Sequence, residues 1–193
     1  MPGRARRLAF SVALLASLLA GPAARAEEEP EPAAIRVLAD ARVVEIVGGL
    51  VGATAEKLRA VLAQAPDVRT VRLESAGGIL AVGIEVQAAI ATRGLETEVL
   101  GTCNSACTVA FLGGKVRHAF VGARFGFHRA SAEGEGPSVA DLIVRGLYLH
   151  AGVAEVFVDR VLGTPHAEMW FPSLTELRES GFVSTPSLGR VGR

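Results

Sequence analysis

Hydrophobic and polar positions change period along this chain, from two to about 3.6 and back, in short blocks. Residues 35–38 and 43–47 read as two strands with Asp40 as the turn residue between them. Thr54 is a candidate cap for a helix over 55–64, whose apolar stripe is Leu58, Val61 and Leu62, and Pro66 marks its end. Residues 68–73 alternate apolar and basic side chains as a strand does. Gly77-Gly78 breaks the chain before an apolar helix over 80–92 that Gly94 closes. A short strand at 97–100 leads into a turn at Gly101, and an apolar helix over 106–112 stops at Gly113-Gly114.

Two more short strands are expected at 115–119 and 123–127, followed by a Gly/Glu/Ser-rich loop over 130–138. Helices follow at 139–150 and 153–162. A last helix at 174–179 has Ser173 as its cap and Gly181 at its end. Strands alternating with helices in short units predict an α/β fold with a largely parallel sheet.

The amino terminus follows a different logic. Arg4, Arg6 and Arg7 precede an apolar run of 13 residues from Leu8 to Ala20, and Ala24-Arg25-Ala26 offers small residues to a signal peptidase. This is the composition of a secretory signal peptide over 1–26. An uncleaved anchor is disfavoured, because a spanning helix needs about 20 apolar residues. Arg6-Arg7 leaves the route open between general secretion and twin-arginine export. Cleavage after Ala26 leaves 167 residues carrying 16 basic and 20 acidic side chains. That length suits one domain. Residues 27–34 read as an acidic, Pro-rich linker, 35–186 as the domain and 187–193 as a flexible tail. The charge excludes a basic footprint for nucleic acid, and no second apolar span is expected after processing.

The only cysteines are Cys103 and Cys107. In an oxidising compartment such a pair points to a disulfide. The i, i+4 spacing of a regular helix rarely suits the bond, and a turn at Asn104-Ser105 would relax this. Two buried free thiols are the other reading. A zinc site is not expected, since four ligands are wanted and only His118 lies near in sequence.

Between these cysteines lies the candidate chemistry. Ser105 follows one apolar run and opens another, as a serine at an exposed strand-to-helix turn does. His128 ends the short Arg124-Phe125-Gly126-Phe127 run and is placed to take its proton. Gly77-Gly78 offers backbone N–H groups free of Cβ crowding, and the Ala106 N–H follows the serine, so both suit an oxyanion. Taken alone, such a serine is usually a helix cap, and such glycines a turn that needs positive φ. His118, His150 and His166 read as solvated polar residues, Asp141 and Asp159 as helix-surface charges, and Met169-Trp170-Phe171 as packing.

The order and spacing of these pieces resemble the proteolytic subunit of the Clp protease and, more broadly, the Clp/crotonase-like superfamily. There a strand runs into N-S-x-G-G, and here Ser75-Ala76-Gly77-Gly78 follows Glu74. A later G-x-x-x-S turn carries the family's nucleophile, as Gly101 to Ser105 would. The histidine follows, 23 positions on in this chain. The stretch from Trp170 to Val183 resembles the family's closing segment. The C-x-S-x-C surround of the serine is most similar to a group of exported bacterial members. The resemblance implies a spiral of ββα units and a serine peptidase-type site of Ser105 and His128, with Gly77, Gly78 and Ala106 holding the oxyanion. It implies a peptide or unfolded protein segment as substrate, no cofactor and no metal, and a homo-oligomer. The family's acid position reads Met169, and the adjacent Glu168 is the candidate that would stand in. The alternative is a non-catalytic envelope interaction module on the same fold.

The leader generates the first prediction. The mature protein, recovered from the periplasm, has an intact mass that begins at Glu27. A full-length species lodged in the inner membrane would contradict it.

Overall fold

The computed structural model describes residues 32–130 and 137–187. The expected signal peptide lies outside the described residues, as do most of the expected linker and tail. Strand β1 (Ala34–Val37) pairs antiparallel with β2 (Val43–Val47) through a turn in which Asp40 Oδ1 accepts from Arg42 N. Helix α1 (Thr54–Gln64) leads to β3 (Thr70–Glu74), and α2 (Leu80–Thr92) leads to β4 (Glu96–Val99). Strand β5 (Thr102–Asn104) turns into α3 (Ala106–Phe111), followed by β6 (Arg117–Phe120) and β7 (Arg124–Gly126). Helices α4 (Val139–His150), α5 (Glu155–Gly163) and α6 (Leu174–Glu179) precede β8 (Thr185–Ser187).

The main sheet has the order β1-β2-β3-β4-β6-β8, and every pair after the first is parallel. Strands β5 and β7 form a separate parallel pair, tied to the end of β3 by the Ser75–Cys103 bridge. This is the α/β, mainly parallel architecture that the alternation of elements predicts. Two strands escaped the pattern. β5 is three residues of Thr-Cys-Asn with no apolar alternation, and it exists because Ser75 on one side and β7 on the other satisfy its backbone. β8 contains Pro186 and lies at the sheet edge, where a missing N–H is tolerated. Thr54 also departs from expectation. It lies inside α1 rather than capping it, and its hydroxyl donates to Val51 O at 2.6 Å.

Burial of one face of the parallel strands explains their alternation, since Glu45, Arg72 and Glu98 occupy the other, partly exposed face. Val44, Ile46, Val71 and Leu73 meet Leu58, Leu62, Val86 and Ile90 of the helices in one continuous core. Helix α2 crosses α3 so closely that a Cβ on Gly83 would come within 2.6 Å of Ala106 O. An aromatic cluster closes the other end: Phe127 has ring centroids at 5.0 Å from Phe182, 5.2 Å from Phe157 and 5.8 Å from Trp170.

One buried cation fastens the last third of the chain to the sheet. Arg117, 9% exposed, donates Nε to Phe182 O at 2.8 Å and Nη2 to Gly181 O at 2.8 Å and Ala151 O at 3.1 Å. Its acceptors are carbonyls beyond α6 and at the end of α4, so a single side chain holds three segments. Burial lowers its pKa from the ordinary value, a direction that reflects the cost of keeping a charge there. Arg117→Met removes all these bonds and leaves carbonyls without donors. It should cost at least about 3 kcal/mol, read as a lower urea midpoint at unchanged slope. Arg117→Lys should recover only part, because a point ammonium cannot copy the planar fork. A midpoint unchanged by Arg117→Met would show that the clamp contributes nothing.

Candidate active site

The site begins where β3 ends. Ser75 is buried, its N–H donates to Thr102 O at 2.8 Å, and its carbonyl accepts from Asn104 N at 3.0 Å. These bonds fix the spacing between the end of β3 and β5. Gly77 and Gly78 follow with φ of +111° and +143°, a backbone region that side chains rarely adopt. A Cβ on Gly77 would lie 2.7 Å from Ser105 Cβ, so glycine here is what lets the serine turn approach. Gly77 N–H donates to Ser75 Oγ at 3.1 Å. Gly78 N–H has no protein acceptor among the described residues.

Ser105 sits between β5 and α3 with φ 52° and ψ −126°. A non-glycine residue with such a φ is strained by about 1–3 kcal/mol and persists only where its surroundings over-determine it. Here they do. Ser105 N–H donates to Gly126 O at 2.8 Å. Its carbonyl accepts from Thr108 N at 2.9 Å and from Thr108 Oγ at 2.6 Å. The Thr108 hydroxyl is 2.6 Å from Tyr148 OH, and since its own proton goes to Ser105, the Tyr148 hydroxyl is the donor. Tyr148 is fully buried, which pushes its pKa up and keeps that proton in place. Cys103 and Cys107 form a disulfide with Cα atoms 5.2 Å apart, both cysteines fully buried. The sharp turn between them brings the two within bonding geometry, as a regular helix would not.

His128 follows Phe127, whose N–H and carbonyl both pair with Trp170 at 2.9 Å. Its Nδ1 lies 2.7 Å from Arg129 O, so the proton is on Nδ1 and the lone pair on Nε2. Desolvation by burial lowers the His128 pKa, the Arg129 carbonyl opposes this, and positive charge on neighbouring His166 lowers it further. A neutral imidazole with a free Nε2 is the form a general base needs.

Gly78, Ser105, Ala106, His128, Tyr148 and His166 line one cavity of about 80 Å³. The structure thus brings together the predicted serine, histidine, one of the two glycines and Ala106. Ser105 and His128 share the cavity without a hydrogen bond between them, and Gly77 borders Ser105 from the neighbouring groove. Glu168 is exposed and makes no hydrogen bond to His128, whose Nδ1 is engaged by Arg129 and His166. Met169, 36% exposed, packs beside Gly126, where a Cβ would come within 2.7 Å of its Sδ and 2.6 Å of Asn104 Oδ1. That Asn104 oxygen is buried and has no hydrogen-bond partner among the described residues.

The structure corrects the expectation for Asp141. It is 1% exposed rather than a surface charge. Its carboxylate accepts from Arg129 Nη2 at 2.8 Å, Ala130 N at 2.9 Å, and Ser138 N and Oγ, each at 2.9 Å. Desolvation raises its pKa, but the bonds from Ser138, Arg129 and Ala130 together outweigh that and hold it below the usual carboxylate range. Asp141 therefore fastens the segment after His128 to the start of α4. The Ser138-x-x-Asp141 spacing is a capping box, the signal that could have found it. His166 carried no periodic signal, and only the tertiary fold places it.

No family model matches the sequence, and no curated protein does. The solved structure of ClpP1 from Listeria monocytogenes matches with a TM-score of 0.63 at 19% identity, covering 78% of this chain and 94% of that one. A point variant of the same protein matches with 0.62 at 18% identity over the same shares. A Pseudomonas aeruginosa protein matches with 0.55 at 19% identity, covering 80% of this chain and 77% of its own. These likenesses establish the Clp protease fold.

The strain at Ser105 is measurable. Glycine adopts its backbone without penalty, so Ser105→Gly should be more stable than Ser105→Ala by about 1 kcal/mol, seen as a higher denaturation midpoint. If alanine proves the equal of glycine, the turn is not strained.

Proposed function

We propose that the chain is a serine hydrolase of peptidase type that works on short or already unfolded peptide segments. The observation that carries this reading is the left-handed backbone of Ser105. It turns a serine out of a strand and into a helix beside a cavity that also contains a histidine, at a standing cost in backbone strain. In this reading Ser105 Oγ attacks the acyl carbon while its proton passes to His128 Nε2. The carbonyl electron pair moves onto oxygen, held by Gly78 and Ala106 N–H. Collapse of that intermediate breaks the C–N bond, and the proton on Nε2 goes to the leaving amine. Water then repeats the sequence to release the acid. No nucleotide or metal enters these steps. The Arg129 carbonyl holds the histidine in the required tautomer, the task a carboxylate performs in the serine triad. Hydrogen bonds between nucleophile and base are often loose before substrate arrives.

The proposal includes the export that the leader implies, with the domain beginning near residue 35. Self-association also belongs to it: Val139, Leu142, Ile143 and Leu149 leave an apolar stripe exposed along α4. The second reading, a non-catalytic interaction module, is favoured by Met169 at the acid position.

A fluorophosphonate probe separates the two. It should label the mature protein at Ser105 and leave Ser105→Ala unlabelled. His128→Ala should slow labelling by about 10²–10⁴. The lowered His128 pKa fixes the sign of the pH dependence: the neutral base is lost as pH falls, so the rate should drop on the acid side of the ordinary histidine range. Wild-type protein that resists the probe, or labels equally without His128, would favour the interaction module.

A further inference from the structure

Resting on the hydrolase reading, we propose that His166 is the positioning residue of the base, standing where a triad would carry its acid. Its Nδ1 lies 3.1 Å from His128 Nδ1, and the ring centroids are 4.6 Å apart at 62°. The contact is built into the fold. Arg129 N donates to Thr164 O at 2.9 Å, and Phe127 pairs with Trp170 in both directions. The residues on each side of His128 are thus hydrogen-bonded to the two ends of the 164–170 segment. His166 is carried inside that frame, and Glu168 N–H closes the turn on Pro165 O at 2.9 Å.

The proton arrangement follows from the acceptors. The Arg129 carbonyl can only accept, so His128 Nδ1 carries the hydrogen. His166 Nδ1 faces the same N–H and must present its lone pair, which makes His166 neutral with its proton on Nε2. The N–H is then shared between a carbonyl and an imidazole nitrogen. When His128 takes the Ser105 proton, both acceptors stabilise the imidazolium. Protonation of His166 reverses this, turning an N–H against an N–H and placing like charges side by side. The other polar groups around the pair are Ser105 at its elbow, Tyr148 of α4, and the Arg129–Asp141 ion pair, with Asp159 of α5 lining the cavity beyond. Among the described residues no carboxylate is ion-paired with either ring.

The test is the pH profile of fluorophosphonate labelling of the mature protein, compared among wild type, His166→Ala and His166→Asp. His166 is exposed, so stability should change by no more than about 0.5 kcal/mol. His166→Ala should slow labelling on the order of 100-fold, the scale of losing base orientation. His166→Asp should restore most of the rate. His166→Asp should also move the acid limb to higher pH, because a carboxylate beside His128 favours its imidazolium. A His166→Ala protein that labels at the wild-type rate along the same acid limb overturns the inference and leaves the hydrolase reading standing. A wild-type protein that is not labelled overturns both.

Discussion

Everything at the candidate site depends on holding Ser105 in a backbone conformation that an L-residue avoids. Unsupported, that φ would relax at a gain of about 1–3 kcal/mol, and the side chain would turn away from the cavity. Several independent constraints prevent it. The Gly126 carbonyl takes the serine N–H, and Thr108, itself held by Tyr148, takes the serine carbonyl twice. The Cys103–Cys107 disulfide closes a loop around the residue, and a loop that short contributes about 2 kcal/mol in the chain-entropy account. Gly77 clears the space the serine must enter. The supports come from β5, β7, α3, α4 and the Gly77 turn, so the elbow is a property of the assembled fold.

His128 is held by a second frame. Trp170 and Thr164 bracket it from one segment, and Asp141 secures Arg129 and Ala130 from the start of α4. Arg117 joins the two frames indirectly, since it ties the end of α4 and the chain beyond α6 to β6. In the proposed mechanism a backbone carbonyl and a second imidazole take the place of a buried carboxylate. Neither carries a negative charge, so the base is oriented without a strong rise in its basicity, in keeping with the lowered pKa of His128.

Elements with a cap at the start and a sustained period were legible to the residue. Helices α4 and α6 are examples, capped by Ser138 and Ser173. The parallel sheet followed from the alternation of elements, and the serine turn from glycine placement around a short polar stretch. What escaped was set by tertiary contact. β5 is a strand because Ser75 and β7 reach it, and its own three residues carry no strand pattern. Asp141 looked like a first-turn surface charge, and only the return of the His128 segment buries it. His166 looked like a solvated loop residue, because its partner is 38 positions away. Met169 and Glu168 follow from the same limit: adjacency in sequence to an expected acid does not aim a side chain at the histidine.

In the proposed hydrolase, the elbow presents a nucleophile to a prepared oxyanion site. The most direct measurement is the structure of the phosphonylated protein. The account predicts phosphorus bonded to Ser105 Oγ, with one phosphonyl oxygen about 2.7–3.1 Å from both the Gly78 and Ala106 nitrogens. An adduct whose oxygens point to solvent, away from both N–H groups, would contradict it.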